Sequence, residues 1–480
     1  MRTTLRVLGL VALAVQIAAA ADEPPTVTSQ EGDQSRIAVT VYNNGFGVVR
    51  DVRTITLPQG QVNVRFMDVA SAVQPETVQI DAETAGGKLA VLEQNYEYDL
   101  MSPDKLLEKY VGKEVVLVQR NDYANERVPV KATLLSYNNN QPIYRIGDDI
   151  VVHRQREETL LPEIPENLVA RPTLIWLLEN GYEGPQTIIA NYMTGGMRWN
   201  ADYVAVLADN EKTCDLNGWV TINNNSGATY DNAQLKLVAG DVQRVRPERF
   251  ALGAEVMMDQ AMAAPAAARK SFAEEAMFEY HLYTLERPTT LKQNQQKQVA
   301  LLEARDVTLD KTFRVIGSSY LYRNQQGSTI KDIKVGVYIS FSNTVANSLG
   351  MPLPKGIVRV YKADSSGNNQ FVGEDSIDHT PKDEEIELKL GDAFDVVAER
   401  TQTDYRKLGD QRCETAWKVE VRNHKDEDID VELVEPLYGD WEVLESSLPY
   451  EKRDARTIVF SMPVVKDGAA TCTYRVRVRW

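Results

Sequence analysis

The chain has 480 residues, of which 43% are hydrophobic and 25% charged, with a formal net charge of −16. That length is too great for one core, so roughly two to four domains are expected, and the apolar content excludes general disorder. The negative field disfavours phosphate backbones and anionic lipid surfaces, so neither nucleic-acid binding nor electrostatic membrane docking is expected.

The first residues read as an export signal. Arg2 and Arg6 form a positive start, Val7 to Ala20 an apolar run, and Ala18 to Ala21 a small-residue cleavage site before Asp22. A transmembrane anchor is the weaker alternative, because Gln16 interrupts the apolar run and Asp22-Glu-Pro-Pro follows at once. Cleavage would remove residues 1–20 and with them Arg2 and Arg6, taking the net charge to about −18. The expected location is the periplasm or the cell exterior, with no transmembrane anchor.

Residues 21–35 are polar and expected to be a disordered leader. From Arg36 short alternating runs separated by turn residues predict a β-sandwich over 36–100. Ser102-Pro103-Asp104 predicts a short helix ending at Gly112, with Ser at the N-cap and Pro in the first turn. Strands at Glu114–Gln119, Val128–Tyr137, Pro142–Ile146 and Asp149–His153 then predict a small SH3- or Sm-like barrel over 101–165. Pro172 and Gly181 flank a second predicted short helix. Alternation from Thr187 onward predicts a central β-sandwich over 170–411, with a flexible insertion near 253–275 marked by Met257, Met258, Met262 and an Ala-rich run. Ser271-Phe-Ala-Glu274 carries a capping-box pattern for a short helix. The tail, 412–480, is expected to be an immunoglobulin-like unit of its own. The fold class is therefore mainly β: several sandwiches, a small barrel and few short helices.

Cys413 and Cys472 each precede an alternating strand, so in an oxidising compartment they could be bridged; two buried thiols on separate strands is the alternative reading. Cys214 is taken as a buried free thiol.

Several long segments together resemble a known family. They are Tyr192-Met-Thr-Gly-Gly-Met-Arg-Trp199 through Leu207, Gly218-Trp-Val-Thr-Ile through Gly227, Leu235-Lys-Leu-Val-Ala-Gly-Asp-Val242, Leu353-Pro-Lys-Gly-Ile through Tyr361, Gly373-Glu-Asp-Ser-Ile-Asp-His-Thr-Pro381, Glu420-Val-Arg-Asn-His-Lys425 and Glu445-Ser-Ser447. The family is an exported bacterial domain of unknown function related to the mucoidy-inhibitor A proteins. The resemblance covers roughly 170–480, and 36–100 is similar to that group's N-terminal β domain. Some relatives carry a coiled coil where this chain has the predicted barrel. The family implies no catalytic residues, so none is carried over.

Chemistry-bearing motifs are sparse. The four histidines, His153, His281, His379 and His424, are not at metal-ligand spacing, and the sequence holds no HExxH, CxxC, P-loop or G-x-S-x-G. No cofactor or metal is expected. Asp375, Asp378 and His379 form the most chemical-looking stretch, a candidate base or metal holder, weighed against a polar hairpin tied by its own side chains. Asp364-Ser-Ser-Gly-Asn-Asn369 and the acidic run after His424 read as hairpin turns rather than calcium loops. Trp199, Tyr203, Trp219 and Tyr230 could form a stacking platform but are expected mostly in the core, while Tyr438 and Trp441 flank Gly439-Asp440 as candidate binding aromatics. The leading functional expectation is a non-enzymatic envelope protein binding an unknown envelope protein or polysaccharide. An envelope hydrolase acting on glycan or peptide and a carbohydrate-binding protein are the alternatives.

Overall fold

The computed structural model describes residues 23–83, 89–97, 102–121, 126–152, 158–163, 171–240, 242–244 and 272–480. The fold is mainly β, with one α-helix among the described residues. The expected signal peptide, the run 253–270 and His153 lie outside them. No helix among the described residues is long and apolar enough to cross a membrane. The chain divides into two units: the residues up to Arg36 with Arg50–Tyr192, and Ile37–Val49 with Met193–Trp480.

The first unit holds a four-stranded sheet in the order Thr26–Ser29, Gly60–Met67, Thr173–Asn180, Leu89–Glu97. The segment 21–35, expected to be a disordered leader, is thus ordered from Thr26 by its ladder to Gly60–Met67, with Ser29 buried. Val62, Val64 and Phe66 alternate inward and meet Leu174, Trp176 and Leu178 from the neighbouring strand. Thr173–Asn180 is thus a strand, where Pro172 and Gly181 had predicted a helix. Its residues bury with period two and pair on both sides, with Gly60–Met67 and with Leu89–Glu97. Two ladders outweigh the local helix signals.

The predicted first helix forms at Pro103–Tyr110, where the Ser102 hydroxyl accepts the Lys105 N–H at 3.1 Å. It is followed by a five-stranded antiparallel sheet in the order Asp149–Val152, Gln141–Ile146, Glu126–Asn138, Glu114–Asn121, Glu158–Leu160. Tyr110 packs with Val115, Leu117, Ala132, Leu134 and Tyr144 in a small core of its own. The predicted barrel does not close. Asp149–Val152 and Glu158–Leu160 stand at opposite edges of an open sheet.

In the second unit, five strands run in the order Gln295–Thr308, Thr213–Asn224, Met197–Leu207, Gly356–Ala363, Asn369–Ile377. Phe272–Met277 is a strand pairing with Tyr280–Leu285, so the helix suggested by the capping-box pattern is absent there. Tyr230–Ala239 pairs with Tyr280–Leu285 and with Gln34–Tyr42 in a further sheet, and the C-terminal part of the unit is a sandwich. One sheet has the order Glu385–Asp392, Gly336–Ser342, Asp310–Ile316, Ile429–Pro436, Thr457–Val464, Tyr450–Lys452. The other has the order Ile330–Ile333, Val396–Gly409, Arg412–Asn423, Ala469–Arg479, Asp440–Ser446. Their inward residues, from Phe313 to Val478, share one core. The boundary expected at 412 therefore falls inside a hairpin, between Val396–Gly409 and Arg412–Asn423. The tail cannot bury its inner face without the strands that precede it.

Candidate functional site

The stretch around Asp375 is tied into the sheet. Asp375 lies on the strand Asn369–Ile377, and its two carboxylate oxygens accept the N–H groups of Ser376 and Lys389, each at 2.8 Å. His379 Nδ1 accepts the Lys355 N–H at 3.2 Å, and the exposed Asp378 uses its carbonyl to take the Thr380 hydroxyl at 2.9 Å. A general base needs a lone pair turned toward substrate, and the Asp375 oxygens are turned to the backbone. Asp364 likewise accepts the N–H groups of Ser366 and Asn368 and the Gln370 amide, which closes a hairpin turn. Among the described residues no group of three or more His, Cys, Asp or Glu is placed to hold a metal ion.

Of the two readings of Cys413 and Cys472, the bridge is not formed and the buried thiols on separate strands are found; Cys214 is a buried free thiol as well. The two occupy adjacent strands, but Cys413 faces Val478 and Cys472 faces Val419. That offset is roughly 20 Å along the strands at ~3.3 Å per residue, against the ~7 Å between Cα atoms that a disulfide allows. Burial pushes the Cys472 and Cys214 thiols up to about 12 and raises Cys413 as well, so all three stay protonated and unreactive at neutral pH. Of the central aromatics, Trp199, Tyr203 and Tyr230 are core residues and Trp219 is half-buried.

Sequence reasoning missed a sealed polar group inside the C-terminal sandwich. Val396, Ala398 and Arg400 turn inward from one sheet, and Val431, Leu433 and Glu435 from the other. The Arg400 guanidinium forks onto the Glu435 carboxylate, Nη1 to Oε2 at 2.9 Å and Nη2 to Oε1 at 2.5 Å, with side chains only 1% and 0% exposed. The Tyr322 hydroxyl donates to Glu435 Oε2 at 2.5 Å and lies 3.0 Å from the Tyr474 hydroxyl. Gly317 leaves the space, since a Cβ there would stand 2.1 Å from Glu435 Oε2. Burial alone would lower the Arg400 pKa, but the Glu435 charge outweighs it and holds the guanidinium above its ordinary value. Burial first, then the Glu435 charge, raises both tyrosines well above 10, so they remain neutral donors. The signal was present in the sequence: a charge at an inward position of each alternating strand. The first unit has a counterpart in Asp51 and Arg53, joined at 2.8 Å, with the guanidinium 3.6 Å above the Phe66 ring.

A second group lies at one end of the same sandwich and includes both aromatics singled out from the sequence. The Tyr438 ring lies 4.3 Å from the Arg323 guanidinium and 5.8 Å from that of Arg456. Arg323 also lies 5.7 Å from the Trp480 ring. Trp441 donates its Nε1–H to the Ala455 carbonyl at 2.9 Å and has the Lys452 ammonium 4.8 Å above its ring. The Leu437 N–H donates to the Arg456 carbonyl at 2.6 Å, which holds the Tyr438 turn against the turn bearing Ala455 and Arg456. Gly439 makes the close approach possible: its φ is +70°, and a Cβ would stand 2.0 Å from the Arg479 carbonyl oxygen.

None of Arg323, Arg456 and Lys452 forms an ion pair among the described residues, and the buried Arg323 Nε has no hydrogen-bond partner. The adjacent Asp454 carboxylate instead accepts the Arg456 backbone N–H at 2.6 Å, and the backbone and Thr457 hold its pKa below the usual carboxylate range. Arg453, in the same turn, is already paired with Glu432 at 3.1 Å. Three cations thus rest on aromatic rings with no carboxylate partner of their own among the described residues. Guanidinium edges so placed can grip an oxyanion bidentately. The rings orient the cations through cation–π contact. Tyr438 was legible as an aromatic beside a turn glycine, but Arg323 reaches it from more than a hundred residues away, which no local pattern encodes. No protein-family model matches the chain, and no curated protein matches it.

Proposed function

We propose that the chain is an exported, non-enzymatic protein of the cell envelope that acts as a binding module, and that the open end of its C-terminal sandwich engages its partner. The observation that carries the reading is the Arg323–Tyr438–Arg456 group with Lys452 and Trp441: an exposed tyrosine and a half-buried tryptophan, cations without carboxylate partners among the described residues, and a glycine turn between the two rings. The Arg2/Arg6 start, apolar run and alanine-rich cleavage site support export. The resemblance to the exported family related to the mucoidy-inhibitor A proteins supports an envelope role without catalysis. Binding rather than turnover is favoured because the Asp375 carboxylate is committed to backbone N–H groups. The three thiols are protonated at neutral pH, and the Arg400–Glu435–tyrosine group is closed to solvent.

The test has two arms. Fractionation of cells carrying a C-terminally tagged chain, with sequencing of the mature N-terminus, should return a chain beginning near Ala21 or Asp22 in the exported fraction. In-cell crosslinking of the tagged chain should recover a reproducible envelope partner from wild type and lose it from an Arg323→Gln, Arg456→Gln double variant. A cytoplasmic, uncleaved chain sinks the export reading. The absence of any reproducible partner, protein or polymer, sinks the binding reading.

A further inference from the structure

We infer that the open end of the C-terminal sandwich recognises a short acidic peptide segment of a partner protein; this rests on the binding reading above and names the chemistry of that site. A sugar-stacking platform needs aromatic faces turned to solvent, as does a platform for nucleobases. Here each ring carries a cation: Arg323 and Arg456 on Tyr438, Arg323 on Trp480, Lys452 on Trp441. The rings therefore serve as supports that aim charged groups, and recognition falls to the ammonium and the guanidinium edges.

Arg323 and Arg456 share the Tyr438 ring, while Lys452 stands on Trp441, whose Nε1–H is bonded to Ala455, the residue before Arg456. Cations divided between two rings suit carboxylates carried on successive residues of a peptide better than a single small anion. The rest of the protein restricts the ligand further. At a net charge of −16 the field of the whole protein opposes a long polyanion more than a short acidic segment, which need meet only these cations. Tyr320, on the turn Ser319–Tyr322 that leads into Arg323, is 65% exposed.

The experiment uses the full purified chain and a fluorescent short peptide alternating glycine and glutamate, with its glycine–glutamine counterpart as control, read by anisotropy. The glutamate peptide should bind, more tightly as salt is lowered, and the glutamine peptide should not. Arg323→Gln, Arg456→Gln and Lys452→Gln should each weaken binding about tenfold, the scale of one charge-assisted hydrogen bond. Arg453→Gln, which removes a cation already held by Glu432, should change it by less than about twofold. Equal binding of the two peptides, or indifference to Arg323→Gln, overturns the inference. Binding of an oligogalacturonate through the same three residues, in preference to the peptide, assigns the site to acidic glycan and also overturns it. If crosslinking still recovers a partner that depends on Arg323 while the glutamate peptide fails, the binding reading survives and the acidic-peptide assignment alone is lost.

Discussion

Arg400 and Arg323 belong to the same sandwich and each lies against a tryptophan, Arg400 at 5.6 Å from the Trp417 ring and Arg323 at 5.7 Å from that of Trp480. Their electrostatic surroundings are opposite. Arg400 is fully buried and has Glu435 locked onto it, with two tyrosines filling the remaining space. Arg323 is half-buried and has no carboxylate partner among the described residues. The dielectric accounts for the difference: inside, an uncompensated charge costs several kcal/mol, so a buried guanidinium persists only with a partner, while near the surface water can stand in. The interior pair therefore serves the fold. The open cations are not required by it, which is the physical ground for giving them a function.

The largest effect should come from breaking the sealed pair. Glu435→Gln leaves Arg400 charged and uncompensated in the core and should cost about 3–5 kcal/mol, enough to threaten folding of a marginally stable protein. Replacing both partners by apolar residues, Arg400→Met with Glu435→Leu, should recover most of that loss. Tyr322 and Tyr474 still have each other at 3.0 Å, and apolar isosteres of a buried ion pair are often neutral. Urea denaturation of the single and double variants decides it. A double variant no more stable than Glu435→Gln would mean that the pair is worth more than its desolvation and would undo the contrast drawn here.

How much of this was legible beforehand follows from the range of each interaction. Strands such as Met197–Leu207 were readable because alternate burial leaves a period-two pattern in the residues themselves. The strand Thr173–Asn180 was misread because Pro172 and Gly181 are local helix punctuation, whereas its two partners, Gly60–Met67 and Leu89–Glu97, are distant in sequence. Closure of the small sheet was beyond reach for the same reason: alternation gives strands and faces but not whether the edge strands meet. The strands of Cys413 and Cys472 do pair, as a bridge would need, and it is the register, which no local pattern encodes, that keeps the two thiols apart. Arg400 and Glu435, by contrast, sat in plain view as charges at inward positions.

Glu211 is the intermediate case between sealed and open. Its carboxylate, 30% exposed, joins Lys311 and Lys362, which come from the strands Asp310–Ile316 and Gly356–Ala363. Burial alone would raise its pKa, but the two lysines outweigh burial and pull it down from 4.5 to about 2. A lowered carboxylate stabilises the fold above its unfolded pKa, and that stabilisation is lost as the pH falls from about 4.5 toward 2. With partial exposure screening the pair, the contribution should be on the order of 1 kcal/mol. Thermal unfolding of wild type and Glu211→Gln should therefore differ at pH 6 and converge near pH 2. A gap that persists undiminished at pH 2 would show that Glu211 acts through packing rather than charge.

The smallest effect expected is also the one on which the comparison depends most. Arg323→Gln removes a cation that balances no buried carboxylate, so it leaves no orphaned charge behind. What it removes is cation–π contact with Tyr438 and Trp480, worth about 0.5–1 kcal/mol at a partly exposed site, and the glutamine stem replaces part of the packing. Stability should thus fall by less than about 1 kcal/mol, against several for Glu435→Gln. Urea midpoints measured side by side settle the matter. If Arg323→Gln destabilises the sandwich as severely as Glu435→Gln, the open end is part of the fold's own scaffolding and the functional assignment loses its physical basis. If the midpoint barely moves while peptide binding drops, the cation is held in place for something outside the chain.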